Sequence, residues 1–186
     1  MYSDFLLIRK MRQGDDIAFD SFVRRYYQEI LNYCYYHCFD RAYAEDLTQE
    51  TFVRFFTKLP DYHYRGKTLN YLYTIAGNLC KDYLKKIKEI PVEEAELLRG
   101  ENGEAREIED VLNKIFMRQK LEQLPNELYD VLILYYFQGL KLTEISEVLQ
   151  IGLSLVKYRL KQARMQLEEL LYEEEEHESG RKNTEV

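Results

Sequence analysis

The chain has 186 residues, 46% of them hydrophobic and 32% charged, with a formal net charge of -7, 17 tyrosines and no tryptophan. That length and apolar content support one large or two small packed domains, and the acidic balance excludes a protein that coats nucleic acid indiscriminately, so any such contact must be local. Its three cysteines make no disulfide framework, and no apolar run reaches the ~18 residues of a membrane span, which predicts a cytoplasmic protein without membrane insertion.

Phe5 to Arg12 reads as a short helix that stops at Gly14, and Asp15 is placed to cap the next one. In that second helix Phe19, Phe22, Val23, Tyr26, Ile30 and Tyr33 recur at steps of three and four, the signature of an amphipathic helix that needs packing partners. Cys34, His37 and Cys38 continue the same helix and share a face. Two readings stand: a zinc or copper site, if Cys80 or His63 supplied a fourth ligand, or ordinary lining of a core. Cysteine is commonly buried as a small hydrophobe and three ligands on one helix are unusual, so the core reading is preferred and no metal is expected.

The third helix begins at Ala44 and runs to Leu59, before Pro60. Phe52, Phe56 and Leu59 supply one apolar face. Asp46, Gln49, Glu50 and Val53 line up on another. Acids and an amide without a histidine cluster, a nucleophile or a glycine-rich phosphate loop suit a partner helix bearing arginine better than catalysis. The following stretch, DYHYRGKT from Asp61 to Thr68, offers Tyr62, His63 and Tyr64 for stacking and Arg65 and Lys67 for phosphate, which fits unpaired bases. Thr68 is a candidate cap for a fourth helix with the apolar stripe Leu69, Leu72, Tyr73, Ala76, Leu79, Cys80, Tyr83 and Leu84. The polar side of that helix ends in Lys81, Lys85, Lys86 and Lys88.

Glu89 to Asp110 changes character: glutamate-rich, poor in apolar residues and broken by Pro91, Gly100 and Gly103, it reads as a flexible acidic linker. Ile108, Val111, Leu112, Ile115 and Phe116 open the next helix, which ends near Leu124 and Pro125. A helix from Asn126 to Gln138 stops at Gly139. A short one capped by Thr143 carries Ile145, Val148 and Leu149, and after a turn through Gln150 to Leu153 a longer one capped by Ser154 carries Val156, Leu160, Ala163, Leu167 and Leu170. This is a helix-turn-helix pattern. Opposite the last apolar stripe lie Lys157, Tyr158, Lys161, Gln162 and Met165, with Arg159 and Arg164 at the margins and no acid between Ser154 and Gln166. In so acidic a chain the local basic excess points to a phosphate-facing helix, against the plainer reading of a solvated face on a small bundle.

The runs GDDIAFDSFVRRYY, AEDLTQETFVRFF and LNYLYTIAGNLCKDYLKK resemble the second conserved region of bacterial RNA polymerase sigma factors of the extracytoplasmic-function class. The run LPNELYDVLILYYFQGLKLTEISEVLQIGLSLVKYRLKQAR resembles their fourth region. The resemblance implies an all-α chain of two small domains. A four-helix region 2 would span 1–88, an acidic linker 89–107, a helix-turn-helix region 4 108–172 and a disordered tail 173–186.

It further implies that Glu45, Asp46, Gln49, Glu50 and Val53 grip the clamp helices of the largest subunit of core RNA polymerase, with region 4 touching the second-largest subunit. The loop Tyr62, His63, Tyr64, Arg65 and Lys67, with Tyr71, Asn78, Lys81 and Lys85, would meet the promoter minus-10 element and capture a flipped base. Ser154, Leu155, Lys157, Tyr158, Lys161 and Gln162 would meet the minus-35 element. The linker would thread the polymerase cleft, and an anti-sigma protein is a possible partner. No cofactor and no catalytic residue are implied. A stand-alone helix-turn-helix regulator is the alternative, for which the acid and amide face would have no use. The sequence departs from the family where Thr74 and Gly77 replace basic residues, Tyr71 replaces tryptophan, and Leu155 and Tyr158 replace smaller side chains.

Overall fold

A computed structural model describes residues 3–89 and 118–182, which are helices and short connections without a strand. The chain divides into two compact units, Met1–Asn102 and Gly103–Val186. The acidic linker expected from Glu89 lies, apart from Glu89 itself, which ends a helix, outside the described residues, as does the helix start at Ile108 to Phe116. Among the described residues no helix is long and apolar enough to cross a membrane.

Unit 1 contains α1 (Asp4–Met11), α2 (Asp16–Cys38), α3 (Arg41–Thr57) and α4 (Thr68–Glu89). Each boundary has a local cause. Asp15 accepts a bond from the Ala18 amide at 3.1 Å and starts α2 as expected. Phe39, left-handed at φ 52°, ends that helix. Asp40 then accepts from the Tyr43 amide at 2.9 Å, so α3 opens at Arg41 rather than at Ala44. Thr68 does not cap α4: the Lys67 carbonyl accepts from the Tyr71 amide at 3.3 Å, which puts Lys67 at the cap and Thr68 in the first turn.

The core of unit 1 centres on Phe22. Its ring stacks on Phe55 at 4.8 Å and meets the edge of Tyr26 at 5.0 Å. Ile30, Tyr33 and Cys34 extend this face of α2 against Leu72, Tyr73, Ala76 and Cys80 of α4, all essentially inaccessible. There α2 and α4 come so close that a β-carbon at Gly77 would lie 2.9 Å from the Tyr33 hydroxyl. A mid-helix glycine costs about 1 kcal/mol relative to alanine, and here it makes room for a buried tyrosine. α1 is tied to α2 by Asp4, whose carboxylate takes bonds from both Arg25 and Tyr26 in a largely buried setting.

Unit 2 begins with a helical stretch, 118–122, that buries Leu121 ahead of Leu124. Next comes α5 (Asn126–Leu132), which widens into a π-turn over Ile133–Phe137, so the helix predicted to run to Gln138 changes its winding for its last turn. The wider turn leaves Ile133 and Leu134 buried and Tyr136 and Phe137 exposed. Gly139 follows at φ +66°, as a left-handed stop requires.

α6 (Leu142–Leu149) starts before the expected cap Thr143, because the Lys141 amide donates to the Glu144 carboxylate at 2.8 Å. The turn is closed by the Ser146 hydroxyl on the Ile151 carbonyl at 2.6 Å, with Gln150 left-handed at φ 55°. α7 (Leu153–Lys182) opens on the Gly152 carbonyl, which accepts from the amides of Leu155 and Val156, so Ser154 lies inside the first turn rather than at the cap. Its backbone stays helical to Lys182, where the sequence predicted a disordered tail from 173 onward. Val156, Leu160 and Ala163 of α7 seat against Val131, Ile133, Ile145 and Val148 in one small core.

Candidate nucleic-acid and polymerase interfaces

α3 has two faces. Ala44, Thr48, Phe52 and Phe55 are buried, whereas Asp46, Gln49, Glu50 and Val53 are exposed together, with Glu45 at their edge. Val53 is 56% exposed, an aliphatic contact set among polar groups. Glu45 pairs with Arg41 at 3.1 Å and Glu50 with Arg54 at 2.8 Å, both one turn apart on the same helix. Exposed pairs of this kind are worth only about 0.3–0.5 kcal/mol, so the carboxylates can exchange their arginines for those of a partner.

The connection from α3 to α4 holds the second cluster, and the structure divides it. Tyr62 turns inward: its ring stacks on Tyr71 at 5.0 Å and meets Phe55 at 5.2 Å, and burial raises the pKa of its phenol. It forms the floor of the loop together with Tyr71, and both rings, expected at the minus-10 element, remain partly exposed. His63, Tyr64, Arg65 and Lys67 are exposed around the Gly66 turn at φ +79°. The Tyr64 ring lies tilted against Phe5 of α1, with the ring centroids 6.0 Å apart.

Sequence reasoning missed Arg12. Its guanidinium donates to the carbonyls of Leu59, at 3.1 Å, and Tyr62, so α1 clasps this loop across 47 and 50 positions of chain. No local pattern signals such a contact.

From the loop, α4 leads away with Tyr71, Thr74, Asn78, Lys81 and Lys85 in one row at steps of three and four, the last three exposed. Thr74 bonds back to the Asn70 carbonyl at 3.0 Å, and Gly77 faces Tyr33. The Gly77 departure is therefore a packing feature. Basic character in this row starts at Lys81.

In unit 2 the exposed face of α7 presents Ser154, Leu155, Lys157, Tyr158 and Lys161, with Gln162 half-buried beside them. Tyr158 is 59% exposed and Leu155 40%, so neither is held by the core. Further along, Arg164 lies over the rings of Tyr135 and Tyr136 at 5.6 and 5.4 Å, joining α7 to the π-turn. Lys157, Lys161 and Arg164 line one open cleft with Tyr135 and Leu142. The result is a helix start with polar and apolar tips, flanked by cations that suit a DNA backbone.

Cys34 and His37 are buried, with the imidazole 4.6 Å from the Tyr33 ring. Cys38 donates to the carbonyls of Cys34 and Asp40, each at 3.2 Å, and burial pushes its thiol up to about 12. A thiol so reluctant to ionise is a poor ligand and a poor nucleophile. Among the described residues no group of three or more His, Cys, Asp or Glu side chains is arranged to hold a metal ion.

Comparison with known proteins matches the sigma-70 region 2 family to residues 22–89 and the sigma-70 region 4 family to residues 117–167. The RNA polymerase sigma factor YlaC of Bacillus subtilis is 31% identical over 173 residues, spanning 90% of this chain and 99% of the relative. The chain belongs to the sigma-70 family, in its extracytoplasmic-function class.

The extracytoplasmic-function sigma factor SigW of Bacillus subtilis is 29% identical over 177 residues, covering 88% of this chain and 94% of that one. Among solved structures, CnrH in complex with the cytosolic domain of CnrY shares the fold with a TM-score of 0.67 at 22% identity, over 90% of this sigma factor and 96% of CnrH. The sigma factor RpoE in complex with the anti-sigma factor NepR from Bartonella quintana gives 0.62 at 17% identity, over 83% and 96%. Both sigma regions occur here in one chain and in order, which favours a sigma factor over a stand-alone helix-turn-helix regulator.

Proposed function

We propose that this sigma factor docks on core RNA polymerase through the outer face of α3 and carries the polymerase to promoters read at two places. Asp46, Gln49, Glu50 and the marginal Glu45 meet basic side chains of the clamp helices of the largest subunit, and Val53 packs in their midst. The exposed loop side chains His63, Tyr64, Arg65 and Lys67 take up unpaired minus-10 bases over the Tyr62 and Tyr71 floor, while Asn78, Lys81 and Lys85 follow the strand. The start of α7 enters the major groove of the minus-35 element. Lys157 and Lys161 anchor phosphates there, and Leu155, Tyr158 and Gln162 reach base edges.

The single observation that carries this reading is the α3 face, where three polar side chains and a valine are exposed together although the opposite face is wholly packed. The protein has no catalysis of its own in this account; the polymerase supplies the chemistry, in the cytoplasm. Region 4 touches the second-largest subunit. One protein of this fold, RpoE of Bartonella quintana, is solved in complex with an anti-sigma factor, and a protein of that kind covering the lysine-bearing faces of α4 and α7 would hold this chain off DNA. The test is reconstitution: the full chain, mixed with core polymerase, forms a stable complex on gel filtration and supports run-off transcription from a promoter selected by the complex. Tight, sequence-selective binding of promoter DNA without polymerase, and no complex with core, would favour the regulator instead.

A further inference from the structure

We propose that Arg12, the residue that ends α1 ahead of the matched sigma regions, is a positioning residue for base capture, holding the loop between α3 and α4 in its receptive shape before DNA arrives. The inference rests on the proposed role of that loop. Residues 58–67 cross from α3 to α4 outside either helix, and the loop's own backbone bonds are few: Asp61 to Lys58 at 3.1 Å and Tyr62 to Leu59 at 3.3 Å. Arg12 supplies what is missing. Its Nε donates to the Leu59 carbonyl and its Nη2 to the Tyr62 carbonyl, so one planar fork spans the turn at both ends. Phe5, in the first turn of α1, backs the ring of Tyr64.

The geometry needs arginine. A guanidinium carries several donors in a fixed plane, whereas a lysine ammonium is a point charge that does not hold two separated carbonyls in register. α1 is itself anchored through Asp4 to Arg25 and Tyr26, so the clasp is fixed to the body of unit 1. Fixing a backbone residue costs conformational entropy, and a loop ordered during folding does not meet that cost again when it binds. The exposed side chains of His63, Tyr64 and Arg65 then meet the base; Arg12 acts only through the carbonyls behind them.

The experiment uses holoenzyme assembled from the full chain and core polymerase, and a fluorescent single-stranded non-template minus-10 oligonucleotide, intact or with one abasic site at each position in turn. Arg12→Ala is expected to weaken binding of the intact strand about fivefold, and Arg12→Lys nearly as much, with helicity and core affinity as in the parent. At the position whose base enters the loop, the abasic strand should bind parent and both variants alike. At every other position the difference should persist. A loss that persists at all positions would show a general structural effect and overturn the inference, as would unchanged binding of the intact strand or full rescue by Arg12→Lys. If the parent holoenzyme itself is indifferent to every abasic site, the base-capture reading of the loop falls, and the inference with it.

Discussion

The two surfaces assigned to DNA are built in opposite ways. The start of α7 is made of neighbours in sequence: Ser154, Leu155, Lys157, Tyr158 and Lys161 project outward because Val156, Leu160 and Ala163 project inward, and any sequence with that alternation presents the same face. The α3–α4 loop has no such periodicity. Its shape comes from Arg12, Phe5, Phe55 and Tyr71, contributed by three helices. A surface of the first kind tolerates change in the rest of the chain; one of the second kind depends on its support, and mutations should separate the two.

The largest effect belongs to the support. Phe22→Ala removes the ring at the centre of unit 1 and should cost that unit about 3–5 kcal/mol, read as a lower denaturation midpoint. Hydrogen exchange in unit 2 should stay as in the parent. Protection lost equally in both units would break the comparison, because the recognition helix would then also lean on the first core.

Within the loop, the structure separates two tyrosines that look alike in sequence. Tyr62→Ala should destabilise unit 1 by about 1–3 kcal/mol, since it removes a ring stacked on Tyr71 and packed on Phe55. Tyr64→Ala should leave unfolding within about 0.5 kcal/mol of the parent and weaken single-stranded minus-10 binding by about 1–3 kcal/mol. Equal stability losses for the two would contradict the division into floor and contact surface.

On α7, Tyr158→Ser should change which minus-35 sequences are selected from a library, by roughly 1–3 kcal/mol at one base pair. Lys161→Ala should weaken all of them alike and reduce the salt slope by about one. An unchanged selection with Tyr158→Ser would demote that residue to a backbone contact. The smallest expected change is a gain: Gln150 holds a left-handed backbone at φ 55° in the turn, and Gln150→Gly should stabilise unit 2 by about 0.5–1 kcal/mol without altering the sequences selected.

The same contrast explains what was legible in the sequence. Periodicity and caps gave the helices of unit 1 and the helix-turn-helix, down to Asp15 and Gly139, because those depend on residues within a turn or two of one another. Two of the missed boundaries were rival capping groups a few residues earlier: Asp40 before Ala44, and the Gly152 carbonyl before Ser154. The contact of Arg12 with Leu59 and Tyr62, the inward turn of Tyr62, and the fit of Gly77 against Tyr33 were invisible for a different reason. Each is set by which helices meet, and none leaves a trace in local spacing. On α3, by contrast, both faces were readable, because burial of Phe52 and exposure of Gln49 and Glu50 follow from one helical wheel.

That face is where the account stands or falls. Gln49→Ala combined with Glu50→Lys changes two exposed positions, and the new lysine one turn from Arg54 costs the helix only a few tenths of a kcal/mol. The decisive measurement is the affinity of this double variant for core polymerase, titrated beside the parent, with helicity recorded on the same samples. The account predicts a loss of at least tenfold at unchanged helicity, since an attraction to basic clamp residues becomes a repulsion. Affinity equal to the parent at equal helicity would contradict it.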